Sequence, residues 1–155
     1  MARLVAILGM VLWGASLAAE GLSDRDGWVV MPSEKPFDAL LDDLKTAVKA
    51  NKMGVVTQAG PTGAAAQRGI TIPNNRVVGV FNNVFAVRIL DLSTAAMIEA
   101  PIRFYVTEDE AGTATLSYKT PSFVFSPYTA EGGADLVAAA AELDAIFLAI
   151  AETAR

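Results

Sequence analysis

The chain has 155 residues, 12 Lys and Arg against 17 Asp and Glu, a formal charge of −5, a 53% hydrophobic fraction and neither Cys nor His. That length fits one domain, and an acidic surface with scattered cations repels phosphate backbones, so nucleic acid is not an expected partner. Without Cys and His there are no disulfides, no Ser-His-Asp or Cys-His catalysis, no typical zinc site and no His-ligated haem; acid–base work would fall to carboxylates, Lys or Tyr, and no cofactor or metal is expected.

Residues 1–19 read as a secretory signal peptide. Arg3 is their one charge, Leu4 to Leu12 is an apolar run, and small residues from Gly14 to Ala19 follow, with cleavage after Ala18 or Ala19. A spanning helix needs about 20 apolar residues, more than this run supplies, and no Cys stands at the junction to carry a lipid. The expectation is a periplasmic or secreted domain over residues 20–155, with no stable membrane anchor after cleavage.

Gly27 to Met31 reads as a first strand ended by Pro32, with Ser33 as the N-cap of a helix over Pro36 to Lys52. In that helix Phe37, Leu40, Leu41, Leu44 and Val48 share one face, Asp38, Asp42 and Asp43 come early, and Lys45, Lys49 and Lys52 come late, as the helix dipole favours. Gly54 is the expected stop. A second strand covers Met53 to Gly60. Residues 61–75 are irregular, with a turn of helix at Ala64 to Arg68 and no phosphate-binding glycine pattern.

Arg76 to Phe81 is a third, almost wholly apolar strand. Asn82-Asn83 breaks it, and Phe85, Ala86, Ile89 and Leu90 then fall at helical spacing, so one Asn is expected to cap a short helix. After a connection at Ser93 to Met97, Ala100, Ile102, Phe104 and Val106 alternate with Pro101, Arg103, Tyr105 and Thr107, a half-buried strand. Glu108 to Thr113 is a turn without the ligand ladder of a calcium loop, and Ala114 to Lys119 returns as a hairpin. The aromatic segment Thr120 to Tyr128 is expected to wrap the core edge. Gly132-Gly133 is a joint before a second long helix, Ala134 to Ala154, whose stripe is Leu136, Leu143, Phe147 and Ile150. This order predicts an α+β domain: an antiparallel β-sheet with two long helices packed on one face, and a short helical insert between strands 3 and 4.

Candidate site residues cluster in the second half. Glu99, Arg103 and Tyr105 fall on the face opposite Ile102, Phe104 and Val106. Arg103 beside Glu99 reads most simply as a surface ion pair worth about 0.5 kcal/mol. Its functional counterpart is Arg103 binding a carboxylate or other anion, with help from Asn82, Asn83 and neighbouring helix N–H groups. In an enzymatic version Glu99 is the general acid or base and Tyr105 a second proton donor.

Phe81-Asn82-Asn83, the helical insert, Glu99-Ala100-Pro101-Ile102-Arg103-Phe104-Tyr105-Val106, Gly112 and Ser117-Tyr118-Lys119-Thr120-Pro121 together resemble the domain of unknown function 302 (DUF 302) family. There a strand ends in F-G-N-P, a later one begins L-P-L-R, and an acidic turn with Gly leads to Y-x-x-P. Asn82 stands for the family's Gly and Val84 for its Pro, while Asn83 matches. The resemblance implies a TATA-box-binding-protein-like fold in β-α-β4-α order, a tendency to form a homodimer, and no established activity. The expected role is a non-enzymatic module binding a small anion or a protein. The alternatives are an enzyme built on Glu99 and Tyr105, and a structural dimer module.

Overall fold

The computed structural model describes residues 22–155, so the signal sequence expected at 1–19 lies outside the described residues. Five strands, β1 (Trp28–Pro36), β2 (Gly54–Ala59), β3 (Asn75–Phe81), β4 (Ile102–Glu108) and β5 (Thr113–Lys119), form one sheet in the order β1-β5-β4-β3-β2. Every neighbouring pair is antiparallel. The alternation in β4 sets the sheet's two faces. Ile102, Phe104 and Val106 are buried, and their register partners Val80, Val78, Tyr118 and Leu116 are buried beside them.

Two long helices, α1 (Phe37–Ala50) and α5 (Thr129–Ala154), cover that face. Leu40, Leu44 and Val48 of α1 and Leu136, Leu143, Phe147 and Ile150 of α5 are the stripes that the 3.6-residue period predicts, and all are buried. Ala139, Ala140, Ala151 and Ala154 let α5 lie close. At the centre the Phe104 and Phe147 rings stack at 4.7 Å between centroids, and Tyr118 meets Phe104 edge-on at 5.0 Å. Burial pushes the Tyr118 phenol up to about 12, helped by the charges of Asp144 and Glu152. None of the described helices is long and apolar enough to cross a membrane.

Several boundaries differ from the sequence reading, for local reasons. Strand β1 continues through Pro32 to Pro36 with a register shift between them. As an edge strand it needs no N–H at a proline facing outward. Ser33 is therefore inside the strand, where its hydroxyl accepts the Lys35 N–H at 3.1 Å, and Pro36 takes the N-cap position. Gly54 does not stop α1. The stop is Lys52, in the left-handed region at φ 57°, with Met53 N–H donating to Val48 O and Lys52 N–H to Lys49 O, the Schellman pattern with Lys in the usual glycine place. The aromatic segment packs against the core as a helix: α4 (Pro121–Phe125) runs into a 3₁₀ turn at Ser126–Tyr128, with Pro121 and Phe125 buried. Thr120 caps α4 by accepting the Phe123 N–H, and Pro121 occupies the first turn.

The remaining helices are α2 (Thr62–Gln67) and α3 (Asn83–Leu92), followed by a 3₁₀ turn at Ala96–Glu99. Leu90, expected on the buried stripe of α3, points to solvent. Gly133 breaks the helical dihedrals of α5 at φ 57° and ψ −153°, so the predicted joint is a kink that divides α5 into a short first helix and the long one after it. The acidic turn organises its own loop. Asp109 accepts the Ala111 and Thr113 N–H groups at 2.9 Å, and the Thr113 hydroxyl bonded to it holds its carboxyl below the usual range. Glu108 accepts both the backbone and side-chain N–H of Asn74.

Candidate functional site

The helix-free face of the sheet carries three kinds of side chain in adjacent rows. Sheet register places Val30, Ser117, Tyr105, Val77 and Ala59 side by side across all five strands. One step along the strands, Trp28 pairs with Lys119, Arg103 with Gly79, and Gly79 with Thr57. Lys119 and Arg103 thus sit one position beyond the last registered β4–β5 pair, Phe104 with Tyr118. On the far side of the apolar row lie Pro32, Thr115, Thr107 and Asn75.

A groove of about 330 Å³ opens over this face, lined by Trp28, Lys119, Arg103 and Tyr105 together with Glu99 and Val124. That volume falls in the range of small-ligand sites. Lys119 and Arg103 are exposed cations on neighbouring strands. Among the described residues ion pairs within 4.0 Å join Lys35 to Asp43, Lys45 to Asp42 and Arg88 to Glu142, and none involves Arg103 or Lys119. The expected Glu99–Arg103 pair is replaced by another contact: the Glu99 carboxylate accepts the Tyr128 hydroxyl at 2.7 Å. That hydrogen bond is the main reason the Tyr128 phenol is raised above its ordinary value. The electron-rich face of Trp28 gathers cations at the rim, with the Lys119 ammonium 5.7 Å and the Arg25 guanidinium 5.3 Å from its ring centre.

Glu99, Arg103 and Tyr105 therefore converge on one groove, and the two Asn residues do not join them. Asn82 caps α3: its side-chain oxygen accepts the Val84 N–H at 2.9 Å and the Phe85 N–H at 3.2 Å. Its amide donates to Lys52 O at 2.9 Å, so one side chain ties the left-handed turn after α1 to the start of α3. Replacing Asn82 by Ala is expected to cost about 1–2 kcal/mol in urea-induced unfolding, with no change at the groove, because a cap and a carbonyl partner vanish together. Asn83 is solvent-exposed in the first turn of α3. Asn82 also lines a separate apolar cavity of about 40 Å³ beside Phe85, Ile89, Met97 and Phe147, room for roughly one water.

Trp28, Lys119 and Val77 were not among the residues expected at a site, while Val124 belongs to the Thr120 to Tyr128 segment, for which lining a ligand was the lesser of two readings. Hairpin counting through the 108–113 turn could have placed Lys119 near Arg103. Nothing local to Trp28 reveals that β1 pairs with β5. No group of three or more acidic side chains among the described residues could hold a metal ion.

The model of the family described as Domain of unknown function DUF302 matches residues 29–150. This chain belongs to the DUF302 family. A solved structure, titled as an uncharacterized conserved DUF302 protein from Bacillus stearothermophilus, superposes with a TM-score of 0.75 at 17% identity. It covers 84% of this chain and 100% of its own. At that identity the likeness shows the DUF302 fold, a mixed α/β arrangement with a five-stranded antiparallel sheet. Comparison with curated proteins gave no match.

Proposed function

We propose that this DUF302 domain is an exported, non-enzymatic module that binds a small anion in the groove on the helix-free face. The observation that carries the reading is the pair Arg103 and Lys119, adjacent on one face with no carboxylate partner among the described residues. Like charges on neighbouring strands repel, and an acidic chain has acids to spare for neutralising them. A carboxylate or similar group seated between the two cations relieves that repulsion and gains charge-assisted hydrogen bonds. Export rests on the pattern of residues 1–19. The helices on one face of the sheet support the TATA-box-binding-protein-like class.

The enzymatic alternative places Glu99 and Tyr105 in the same groove, but Glu99 already holds the Tyr128 hydroxyl, so a free base is less available. A homodimer through this face would have to find acids for four cations.

Binding to the folded state raises the melting temperature by mass action. A thermal-shift series with acetate, sulfate and phosphate should raise the wild-type midpoint in a saturable way. The same series on Arg103→Ala should give a flat response with an unchanged starting midpoint, since Arg103 is exposed. Equal responses from the two proteins, or none from either, would sink the reading.

A further inference from the structure

The cationic groove does not end at Tyr105. Val77 and Tyr105 also line a second, open hollow that continues over Ala59, Gly60, Pro61 and Asn75. The two hollows share these side chains and the same sheet face, so they form one trough running across the strands from Lys119 to the β2 edge. Neighbouring strands lie about 4.8 Å apart, so the trough spans roughly 14 Å over three spacings. Its floor is the half-buried row of Tyr105 and Val77, ending on Ala59.

The two ends differ in chemistry. Arg103 and Lys119 stand at one end. At the other the polar side chain is Asn75, and its amide is already engaged, donating to Pro73 O at 3.2 Å and Thr62 Oγ1 at 3.4 Å. The rim there is held close by Gly60, where a Cβ would come within 2.4 Å of the Asn75 carbonyl oxygen. A ligand matched to this trough is charged at one end only and apolar along the rest. A small inorganic anion would leave the Tyr105–Val77–Ala59 row in water.

We propose that the anion bound by this domain carries an aliphatic tail, and that its class is a medium-chain monocarboxylate. The head lies between Arg103 and Lys119, and the chain crosses Tyr105 and Val77 toward Ala59. This rests on the anion-binding reading and adds the tail to it. The apolar cavity beside α3 is not a rival in its present size, since about 40 Å³ admits no chain.

Isothermal titration of the domain over residues 20–155 with acetate, butanoate and decanoate, the last kept below its micelle concentration, separates the two claims. Decanol is the uncharged control. Full burial of each methylene is worth about fourfold in affinity and half burial about twofold, so decanoate should bind roughly 50-fold or more tightly than butanoate. Decanol should bind far more weakly than decanoate. Ala59→Glu, at an exposed edge position, should weaken decanoate at least about tenfold, by placing a carboxylate against the tail, while acetate binding stays as in wild type. Arg103→Ala should weaken both ligands. Methyl resonances of Ala59 and Val77 should shift with decanoate.

Equal affinity for butanoate and decanoate would overturn the tail and leave the anion site standing. No binding by any carboxylate, or equal binding of decanol and decanoate, would overturn both. Shifts confined to Ile89 and Met97 methyls would move the chain to the α3 cavity and also overturn the proposal.

Discussion

Replacing Phe104 by Ala is expected to remove about 3–5 kcal/mol of unfolding free energy, the range for deleting a large ring from a packed core. The ring is 0% exposed, stacks on Phe147 at 4.7 Å and takes the Tyr118 edge at 5.0 Å. Phe147 also lines the existing cavity, so the space left by the ring borders a wall already short of neighbours and collapses poorly. Small domains are stable by only about 5–15 kcal/mol, so the variant stands near the unfolding threshold. Urea denaturation followed by far-ultraviolet circular dichroism measures it. A loss below about 1 kcal/mol would show that Phe104 is not the centre of the core. Functionally, Phe104 lies between Arg103 and Tyr105 on β4, so a loosened strand should also weaken ligand binding in the groove.

The second large effect is expected at Gly79, in the middle of the sheet on the groove face. A Cβ built there lies 2.1 Å from Thr57 Oγ1 and 2.8 Å from the Pro101 ring. Gly79 is also the register partner of Arg103. Gly79→Ala should therefore cost about 1–3 kcal/mol by overpacking and should tilt β4 where its cation meets the ligand. Thr57→Gly removes the closer contact and should recover part of the loss when combined with Gly79→Ala. That recovery is a coupling that a double-mutant cycle reads directly. Strict additivity of the two changes would mean that the Thr57 contact is not the source of the cost.

Much of the fold was legible locally. Ile102, Phe104 and Val106 alternating with Arg103 and Tyr105 determine which side of β4 is buried before any partner strand is known, because successive side chains point to opposite faces. The spacing of Leu40, Leu44 and Val48, and of Leu136, Leu143, Phe147 and Ile150, likewise determines the helices and their buried stripes. That one of Asn82 and Asn83 caps α3 was readable, since an Asn before an amphipathic run satisfies orphan N–H groups; the structure selects Asn82. The missed boundaries were of another kind. Pro32 ends a strand in isolation but is tolerated on an edge, and only the sheet order makes β1 an edge. Gly54 was the nearest glycine after α1, yet the left-handed turn falls at Lys52, whose carbonyl accepts the Asn82 amide from thirty residues away. Thr120-Pro121 was a helix-start signal in plain view, masked by the aromatic residues that follow.

The candidate site divides in the same way. Arg103, Tyr105 and Glu99 were found from one strand's alternation and its flank. Whether Glu99 neutralises Arg103 was not a sequence question: Tyr128, brought over by α4 and the turn after it, takes the carboxylate. Lys119 reaches Arg103 through the hairpin register, and Trp28 through the non-local pairing of β1 with β5. By itself the sequence determined the chemistry on offer, without Cys or His and with cations on a half-buried strand, and it determined which face each residue of β4 takes, because those follow from composition and short-range periodicity. The tertiary structure alone decided which side chains share the groove. Neighbourhood across a sheet depends on strand order and register, and these are set by the packing of the whole core.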